Sequence, residues 1–344
     1  IAYIIFTSGS TGKPKGVKIT RKNLDTYLKW VVTKLKIHNK SKCTQLPGIG
    51  FDLSVADIYS TICGGGTLCL PNQYNKIFPG QYIKQNKITH IVCVPSLINV
   101  IENSKQLNKS HFKSVKKIFF CGEPLMKEHL TKLFQANKNI NVINAYGPTE
   151  TTVSCTSIDL NKVNYKSYSK YSMCIGKSIP GTKIHLLKNN KISTKEGEIV
   201  ISGDQVADGY LNDKINNKKK FIIFKKKKSF LTGDIGELVD KKFFFKKRID
   251  NQIKIKGFRV ELDEIDFYLR KIGFEYNFTV FTKNKLISFI QSKKVKKEFI
   301  VKRLIKLIPS YMIPDEIRFI KKFPLNINGK IEKKKLLEKI NEEK

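Results

Sequence analysis

The run Thr7-Ser8-Gly9-Ser10-Thr11-Gly12-Lys13-Pro14-Lys15-Gly16 brings hydroxyls, glycines and lysines into one loop, and those groups together handle phosphate. Glycines let the backbone approach an anion and aim successive N–H groups at it, hydroxyls donate further hydrogen bonds, and lysines neutralise charge. The apolar, strand-like run Ile1-Ala2-Tyr3-Ile4-Ile5-Phe6 feeds this loop, an order that suits a nucleoside triphosphate. The Walker pattern does not fit. Gly-x4-Gly-Lys-Ser/Thr needs a glycine five places after Gly9, and Pro14 stands there, so an ordinary P-loop NTPase is disfavoured. A Ser/Gly/Lys-rich surface turn is the plainer alternative.

The elements that would hold such a loop are legible in the periodicity. Residues 21–36 read as a helix, with Leu24, Tyr27, Val31 and Leu35 at three- and four-residue spacing, so a loop-to-helix order is expected. Short β-rich runs then alternate with helical stretches: strands at 90–94, 115–121 and 141–145, and helices near 95–103 and 124–136. Such βα alternation implies a mainly parallel sheet, with sites at the carboxyl ends of its strands. Beyond Gly147 short strands and turns suggest a smaller β-rich subdomain, including Glu198-Ile199-Val200-Ile201-Ser202-Gly203 and Gly236-Glu237-Leu238-Val239 followed by Lys242-Phe243-Phe244-Phe245. The lysine-rich residues 218–228 read as an exposed hairpin or loop. From Asp250 onward a mixed α/β tail carries a helix at 299–308 and a glycine turn at Asn328-Gly329-Lys330.

With 344 residues the chain exceeds the size at which single cores usually split, so two or more domains are expected. The net charge of +36 would ordinarily point to nucleic acid or an anionic surface. It is built from 59 Lys and only 6 Arg, however, and arginine is the residue that bidentate phosphate and base recognition prefers. We read the charge as a composition-biased, well-solvated surface, with no specific nucleic acid as partner. The seven cysteines are scattered and contain no Cys-x-x-Cys pair, which argues against a disulfide framework or zinc site and for a reducing, cytoplasmic setting. No apolar run reaches membrane-spanning length. The chain begins without Met inside a strand-like run, so it is expected to be a fragment that is weak or inactive where its full-length parent is active.

Five further segments, with the opening loop and in this order, resemble the adenylate-forming (AMP-binding) superfamily that includes amino-acid adenylation domains. They are Phe51-Asp52-Leu53-Ser54-Val55; Asn144-Ala145-Tyr146-Gly147-Pro148-Thr149-Glu150; Thr232-Gly233-Asp234; residues 248–261 from Arg248-Ile249-Asp250 onward; and Asn328-Gly329-Lys330. Phe51 to Tyr59, Phe120-Cys121-Gly122-Glu123 and Tyr311-Met312-Ile313-Pro314 make the chain most similar to the subgroup that charges a carrier protein with D-alanine. The resemblance implies an α/β, adenylate-forming fold: a partial large domain over residues 1–249, comprising a βα sheet (1–150) and a β-rich subdomain (151–249), and a mobile mixed α/β domain over 250–344. It also implies ATP-dependent formation of an aminoacyl-adenylate, release of pyrophosphate, and transfer to the phosphopantetheine thiol of a carrier protein.

By the same resemblance Thr7, Ser8, Gly9, Ser10, Thr11, Gly12 and Lys13 hold the β- and γ-phosphates, with Asn144 and Ala145 also at the nucleotide. Tyr146 stacks on adenine, Thr149 reaches the phosphates, and Glu150 holds Mg²⁺. Asp234 accepts both ribose hydroxyls, Arg248 makes a second nucleotide contact, Lys330 bridges the substrate carboxylate and phosphate, and Asp250 is the hinge. Asp52 pairs with the substrate ammonium or, alternatively, caps the following helix. Cys121 lines the side-chain pocket or is a packed small hydrophobe. Most relatives carry glycine immediately before the hinge-region arginine, where this chain has Lys247, so a position tolerant of positive φ is either lost or was never required. Rival readings are a peptide-synthetase adenylation module for another amino acid, a degraded pseudo-enzyme and, from a different class, a basic nucleic-acid-binding protein.

Overall fold

The runs His90–Cys93, Lys117–Phe120 and Asn141–Tyr146 are buried at nearly every position, as strands covered on both faces must be. In the computed structural model they form the centre of a seven-stranded sheet. Its order is Thr67–Cys69, Lys42–Thr44, His90–Cys93, Lys117–Phe120, Asn141–Tyr146, Thr156–Leu160, Lys177–Ser178. The first five are parallel, Thr156–Leu160 pairs antiparallel to them and Lys177–Ser178 antiparallel to it, so this sheet continues past residue 150 before the chain leaves it. The structure describes residues 1–9, 14–250, 252–255, 257–292, 295–324, 336 and 338. Two compact units account for the chain, residues 1–7 with 15–250 and residues 8–14 with 251–344.

The two-residue period of a strand sends alternate side chains to opposite faces. Ile91, Cys93, Ile118, Phe120 and Val142 therefore enter one core, while Val92, Phe119, Cys121, Ile143 and Ala145 enter the other. Helix Arg21–Leu35 covers the second face. Its buried Asn23, Tyr27, Val31 and Leu35 recur every four residues, which draws one stripe down the helix. Thr20 caps its start through a capping box with Asn23, and Lys36 ends it in the left-handed region. Helix Leu53–Cys63 packs against the same helix and sheet, and carries Asp57 at 1% exposure. Burial pushes the Asp57 carboxyl up to about 8, despite the backbone N–H groups of Ile58 and Leu46 that favour its charged form.

The opening loop differs from the loop-to-helix order expected of it. Tyr3–Thr7 pairs with Lys15–Ile19 in an antiparallel hairpin, Thr7 opposite Lys15, and the helix starts only afterwards. Val17 and Ile19 alternate with polar neighbours and are fully buried, so a strand, not a helix turn, satisfies the pattern there.

A six-stranded antiparallel sheet completes this unit, in the order Lys191–Ser193, Thr182–Lys188, Glu196–Gly203, Lys227–Val239, Phe221–Phe224, with Lys242–Arg248 also on the Lys227–Val239 strand. The lysine-rich segment is thus the end of helix Lys214–Lys220 plus a hairpin, held where Phe221 and Phe230 meet. Asn189-Asn190, Lys225-Lys226, Asp240-Lys241 and, in the second unit, Lys283-Asn284 form two-residue hairpin turns. All eight residues have positive φ, between 48° and 61°. This is the I′ type that matches strand twist and ordinarily takes glycine.

The second unit contains hairpin Gln252–Ile255 and Phe258–Glu261, helix Leu262–Lys271, and a three-stranded sheet of Asn277–Thr282, Lys285–Gln291 and Glu316–Ile320. The last strand is parallel to its neighbour, reached through helix Lys297–Leu304. Val260, Ile265, Leu269, Ile290, Ile300, Leu304 and Ile317 fill its core.

Candidate functional site

Asp234 sits inside strand Lys227–Val239 just after a sharp local turn. Gly233 adopts φ +75°, a conformation glycine takes without strain, and its N–H donates to Glu198 Oε1 at 2.8 Å. Thr232 Oγ1 donates to the Ile199 carbonyl at 2.7 Å and accepts from the Asp234 N–H at 3.0 Å. These bonds fix the Asp234 backbone, and its carboxylate, 6% exposed, joins two other predicted site residues. Tyr146 donates its hydroxyl to Oδ2 at 2.6 Å, and Arg248 Nη1 donates to Oδ1. Burial, followed by the Asp234 charge, holds the Tyr146 phenol well above its ordinary pKa, so it stays a donor. Arg248 also grips Asp250 bidentately, Nε to Oδ1 at 2.6 Å and Nη2 to Oδ2 at 2.7 Å.

Register decides that it is Arg248 that meets Asp234. Pairing between the two strands is regular from the Val239 turn to Gly236 opposite Phe245, then shifts by one residue so that Lys247 faces Ile235 and Arg248 faces Asp234. Lys246 is the bulged residue; without it Lys247 would stand opposite Asp234. Lys247 itself is not among the residues with positive φ, so the position needs no glycine.

Tyr146 opens a tight loop that Cys155 closes, its N–H donating to the Tyr146 carbonyl at 2.8 Å. Gly147 is required by close approach: a Cβ there would lie 2.5 Å from the Ser154 Cα. Thr152 and Val153 have φ of 58° and 67°, rare for β-branched residues, so the loop stores strain. The loop presents Thr149 and Glu150 on a 3₁₀ turn. Glu150 is fully buried, and Tyr210 donates its hydroxyl to Oε1 at 2.7 Å. Lys15 lies over the Tyr210 ring, 5.6 Å from its centre. Tyr210 was not singled out from the sequence, and nothing in its spacing marks it.

Asn144 spends its side-chain N–H on the Cys174 carbonyl at 2.8 Å. Ala145 points to the opposite face of the strand and packs in the cluster with Cys121, Tyr27 and Leu53. Cys121 Sγ lies 3.7 Å from the Val153 carbonyl. Asp52 precedes helix Leu53–Cys63 but makes no capping hydrogen bond, which sets aside the cap reading. Its carboxylate acts instead on the phenols of Tyr3 and Tyr27, both raised well above their ordinary pKa, chiefly by burial.

Thr7 is buried, with Oγ1 3.5 Å from the Lys15 carbonyl, and Ser8 Oγ donates to the Arg259 carbonyl at 3.0 Å. Gly9 is buried. Ser10, Thr11, Gly12, Lys13 and Lys330 lie outside the described residues. The structure thus gathers Tyr146, Asp234, Arg248 and Asp250 into one hydrogen-bonded chain, and packs Cys121 in one cluster with Tyr27, whose phenol also feels the Asp52 charge.

The chain is similar along its length to known proteins. The model of the AMP-binding enzyme family matches residues 1–211. A D-alanine–D-alanyl carrier protein ligase of Lacticaseibacillus casei is 32% identical over 360 residues, covering 98% of this chain and 71% of that protein. The protein of that name from Staphylococcus epidermidis is 32% identical over 356 residues, covering 99% and 72%. Among solved structures, the Vibrio cholerae adenylation domain AlmE in complex with glycyl-adenosine-5′-phosphate superposes with a TM-score of 0.89 at 25% identity, over 99% of this chain and 66% of that one. The adenylate-forming fold expected from the sequence is therefore the fold found. A match over more than half of the chain, with relatives above 30% identity along nearly all of it, places the chain in the AMP-binding enzyme family.

Proposed function

We propose that this protein is an ATP-dependent ligase that activates a small amino acid, D-alanine, as its adenylate and passes it to the phosphopantetheine thiol of a carrier protein. The observation that carries the reading is Asp52: a carboxylate at a helix start that makes no cap bond and whose charge is felt by the phenols of Tyr3 and Tyr27. A carboxylate there attracts an ammonium and gains nothing from an acid that brings no positive charge. Both D-alanine and the carrier protein figure in the names of the relatives that match nearly the whole chain.

In the first half-reaction the amino-acid carboxylate attacks the α-phosphorus of ATP and pyrophosphate leaves. Catalysis of this kind is positioning and charge stabilisation. An ionised carboxylate offers about four acceptor sites. At Asp234 protein donors occupy two of them, and the remaining capacity matches the two vicinal hydroxyls of a ribose. Tyr146, tethered by its hydroxyl, has its ring held for adenine. Glu150 is the residue that would hold Mg²⁺. Among the described residues no group of three or more acidic, His or Cys side chains could cage a metal. A lone carboxylate fits Mg²⁺, which takes its other ligands from phosphates and water, and which would neutralise phosphate charge there. Tyr210 keeps Glu150 oriented. Lys330 bridges the substrate carboxylate and the phosphate.

In the second half-reaction the thiol attacks the acyl carbonyl and AMP leaves. Asp250 serves as the hinge, a reading supported by the division of the chain between Asp250 and Asn251. The seven cysteines, none of them in a disulfide, fit a reducing cytoplasm, and no helix among the described residues is long and apolar enough to cross a membrane.

ATP–pyrophosphate exchange with D-alanine, L-alanine, glycine, serine and propionate tests the assignment. D-Alanine is expected to lead, with propionate about 100-fold or more behind. In Asp52→Ala the two acids should draw together. Preference for propionate in the unsubstituted protein would remove the role given to Asp52, and preference for another amino acid would remove D-alanine.

A further inference from the structure

Ser96 stands at the start of helix Leu97–Asn103, where a serine ordinarily caps by accepting from the backbone of the first turn. It makes no such bond. Its N–H donates instead to Glu123 Oε2 at 2.9 Å and its hydroxyl to Glu123 Oε1 at 3.1 Å, across 27 residues of chain. Both oxygens of one carboxylate thus grip one residue, and bonds to an ionised acceptor are the stronger kind.

The tie joins two loops at the carboxyl edge of the parallel sheet, the edge at which such sheets bind their ligands. Strand His90–Cys93 runs into Val94-Pro95-Ser96, and its neighbour Lys117–Phe120 into Cys121-Gly122-Glu123. Phe120 is paired with Asn144, two residues before Tyr146, so the second loop leaves the sheet at the level of the Tyr146 loop. From Cys121 to Met126 the chain is in neither helix nor strand, so individual contacts must set its course. The Cys121 N–H donates to the Cys93 carbonyl at 3.3 Å, and Gly122 passes so close to the first loop that a Cβ on it would lie 3.2 Å from Val94 Cγ1. Glu123 closes the turn on Ser96. Cys121, 3% exposed, is thereby held in the cluster that Val94 adjoins, with Sγ 3.7 Å from the carbonyl of Val153 in the strained loop that presents Thr149 and Glu150.

We propose that Glu123 is a positioning residue for the amino-acid site: by gripping Ser96 it fixes the turn that carries Cys121, and so keeps the wall formed by that thiol from yielding to a larger side chain. This rests on the amino-acid assignment above and on Cys121 as a wall of the side-chain pocket. A wall discriminates by size only if it cannot retreat, and close-packed surroundings tied at both loops give it that rigidity.

The test compares Glu123→Ala, Glu123→Gln and Ser96→Ala in exchange with D-alanine and D-valine, in the KM for ATP, and in alkylation of Cys121 by iodoacetamide followed by peptide mass. In Glu123→Ala the preference for D-alanine over D-valine should fall about 10-fold with the ATP KM unchanged. Cys121 should be alkylated about 10-fold faster, as the turn opens locally. Glutamine can keep the tie without the charge, its carbonyl accepting the Ser96 N–H and its amide donating to the hydroxyl, so Glu123→Gln should behave as the unsubstituted protein. Ser96→Ala keeps the N–H bond alone and should fall between, which tests the tie should Glu123→Ala fail to fold. Unchanged preference and unchanged alkylation in Glu123→Ala overturn the proposal. Equal losses with both amino acids and a raised ATP KM overturn it too, as a purely structural role, and so does a glutamine variant as impaired as the alanine one, which would make the charge and not the tie the active element. Absence of amino-acid-dependent exchange in the unsubstituted protein would instead overturn the amino-acid assignment, while alkylation still reads the tie, so the two failures are distinguishable.

Discussion

Replacing Asp234 with alanine is expected to lower kcat/KM for ATP by about 100- to 1,000-fold, the consequence of losing the two charge-assisted hydrogen bonds proposed to the ribose. The same change should also weaken the fold. Tyr146 would keep a buried hydroxyl with its acceptor removed, and Arg248 would lose one carboxylate partner while retaining Asp250. We expect a loss of about 2–3 kcal/mol, below the full effect of breaking an isolated buried pair because Asp250 still neutralises the guanidinium. Comparison of ATP with 2′-deoxy-ATP separates recognition from instability. The unsubstituted protein should discriminate against the deoxynucleotide, and Asp234→Ala should treat the two alike. A mutant that still discriminates as the parent does would mean the ribose is read elsewhere.

Stability should fall on the alkaline side because of Asp57. Its folded pKa of about 8 lies above the ordinary carboxylate value of 3.8, so between those limits the folded state holds a proton that the unfolded chain has released. The contribution is complete below about pH 4 and is lost progressively as pH rises through 8, at up to about 1.4 kcal/mol per unit. His90 works in the other direction. Its ring, bonded to the Leu35 carbonyl and Thr89, is held neutral by burial with a pKa lowered to about 4. Protonating the unfolded chain therefore destabilises the fold as pH drops from 6.5 toward 4. The two slopes oppose each other between about pH 4 and 6.5, and above that Asp57 acts without this counterweight. Urea unfolding at pH 6.5, 7.5 and 8.5 should show a loss of the order of a few kcal/mol in the parent. Asp57→Asn, which carries no proton to lose, should be markedly flatter. Parallel curves for the two proteins would exclude Asp57 as the source.

Much of this site was legible in the sequence where consecutive residues do the work. The Tyr146-Gly147-Pro148-Thr149-Glu150 segment forms its own loop, and Thr232-Gly233-Asp234 forms its own turn, so each local word already contains its geometry. What joins the words was not legible. That Arg248 and not Lys247 meets Asp234 depends on a one-residue bulge at Lys246, and strand register is a property of the paired strands together. The opening loop showed the opposite fault, since its resemblance to strand-loop-helix phosphate sites concealed a second strand, Lys15–Ile19, whose period is two.

The four glycine-free hairpin turns bear on how this protein can be hardened against heat. A left-handed conformation costs an ordinary L-residue about 1–2 kcal/mol, and the cost is least for asparagine and aspartate, whose short side chains bond locally. Lys225-Lys226 has no such relief, whereas Asn189-Asn190 has it twice over. An engineer seeking a more thermostable enzyme can therefore leave the sheets, the strained loop and the proposed site residues untouched and work at the corners. Asn-Gly in place of Lys225-Lys226 is the first exchange to make, and Asn189-Asn190 is the last.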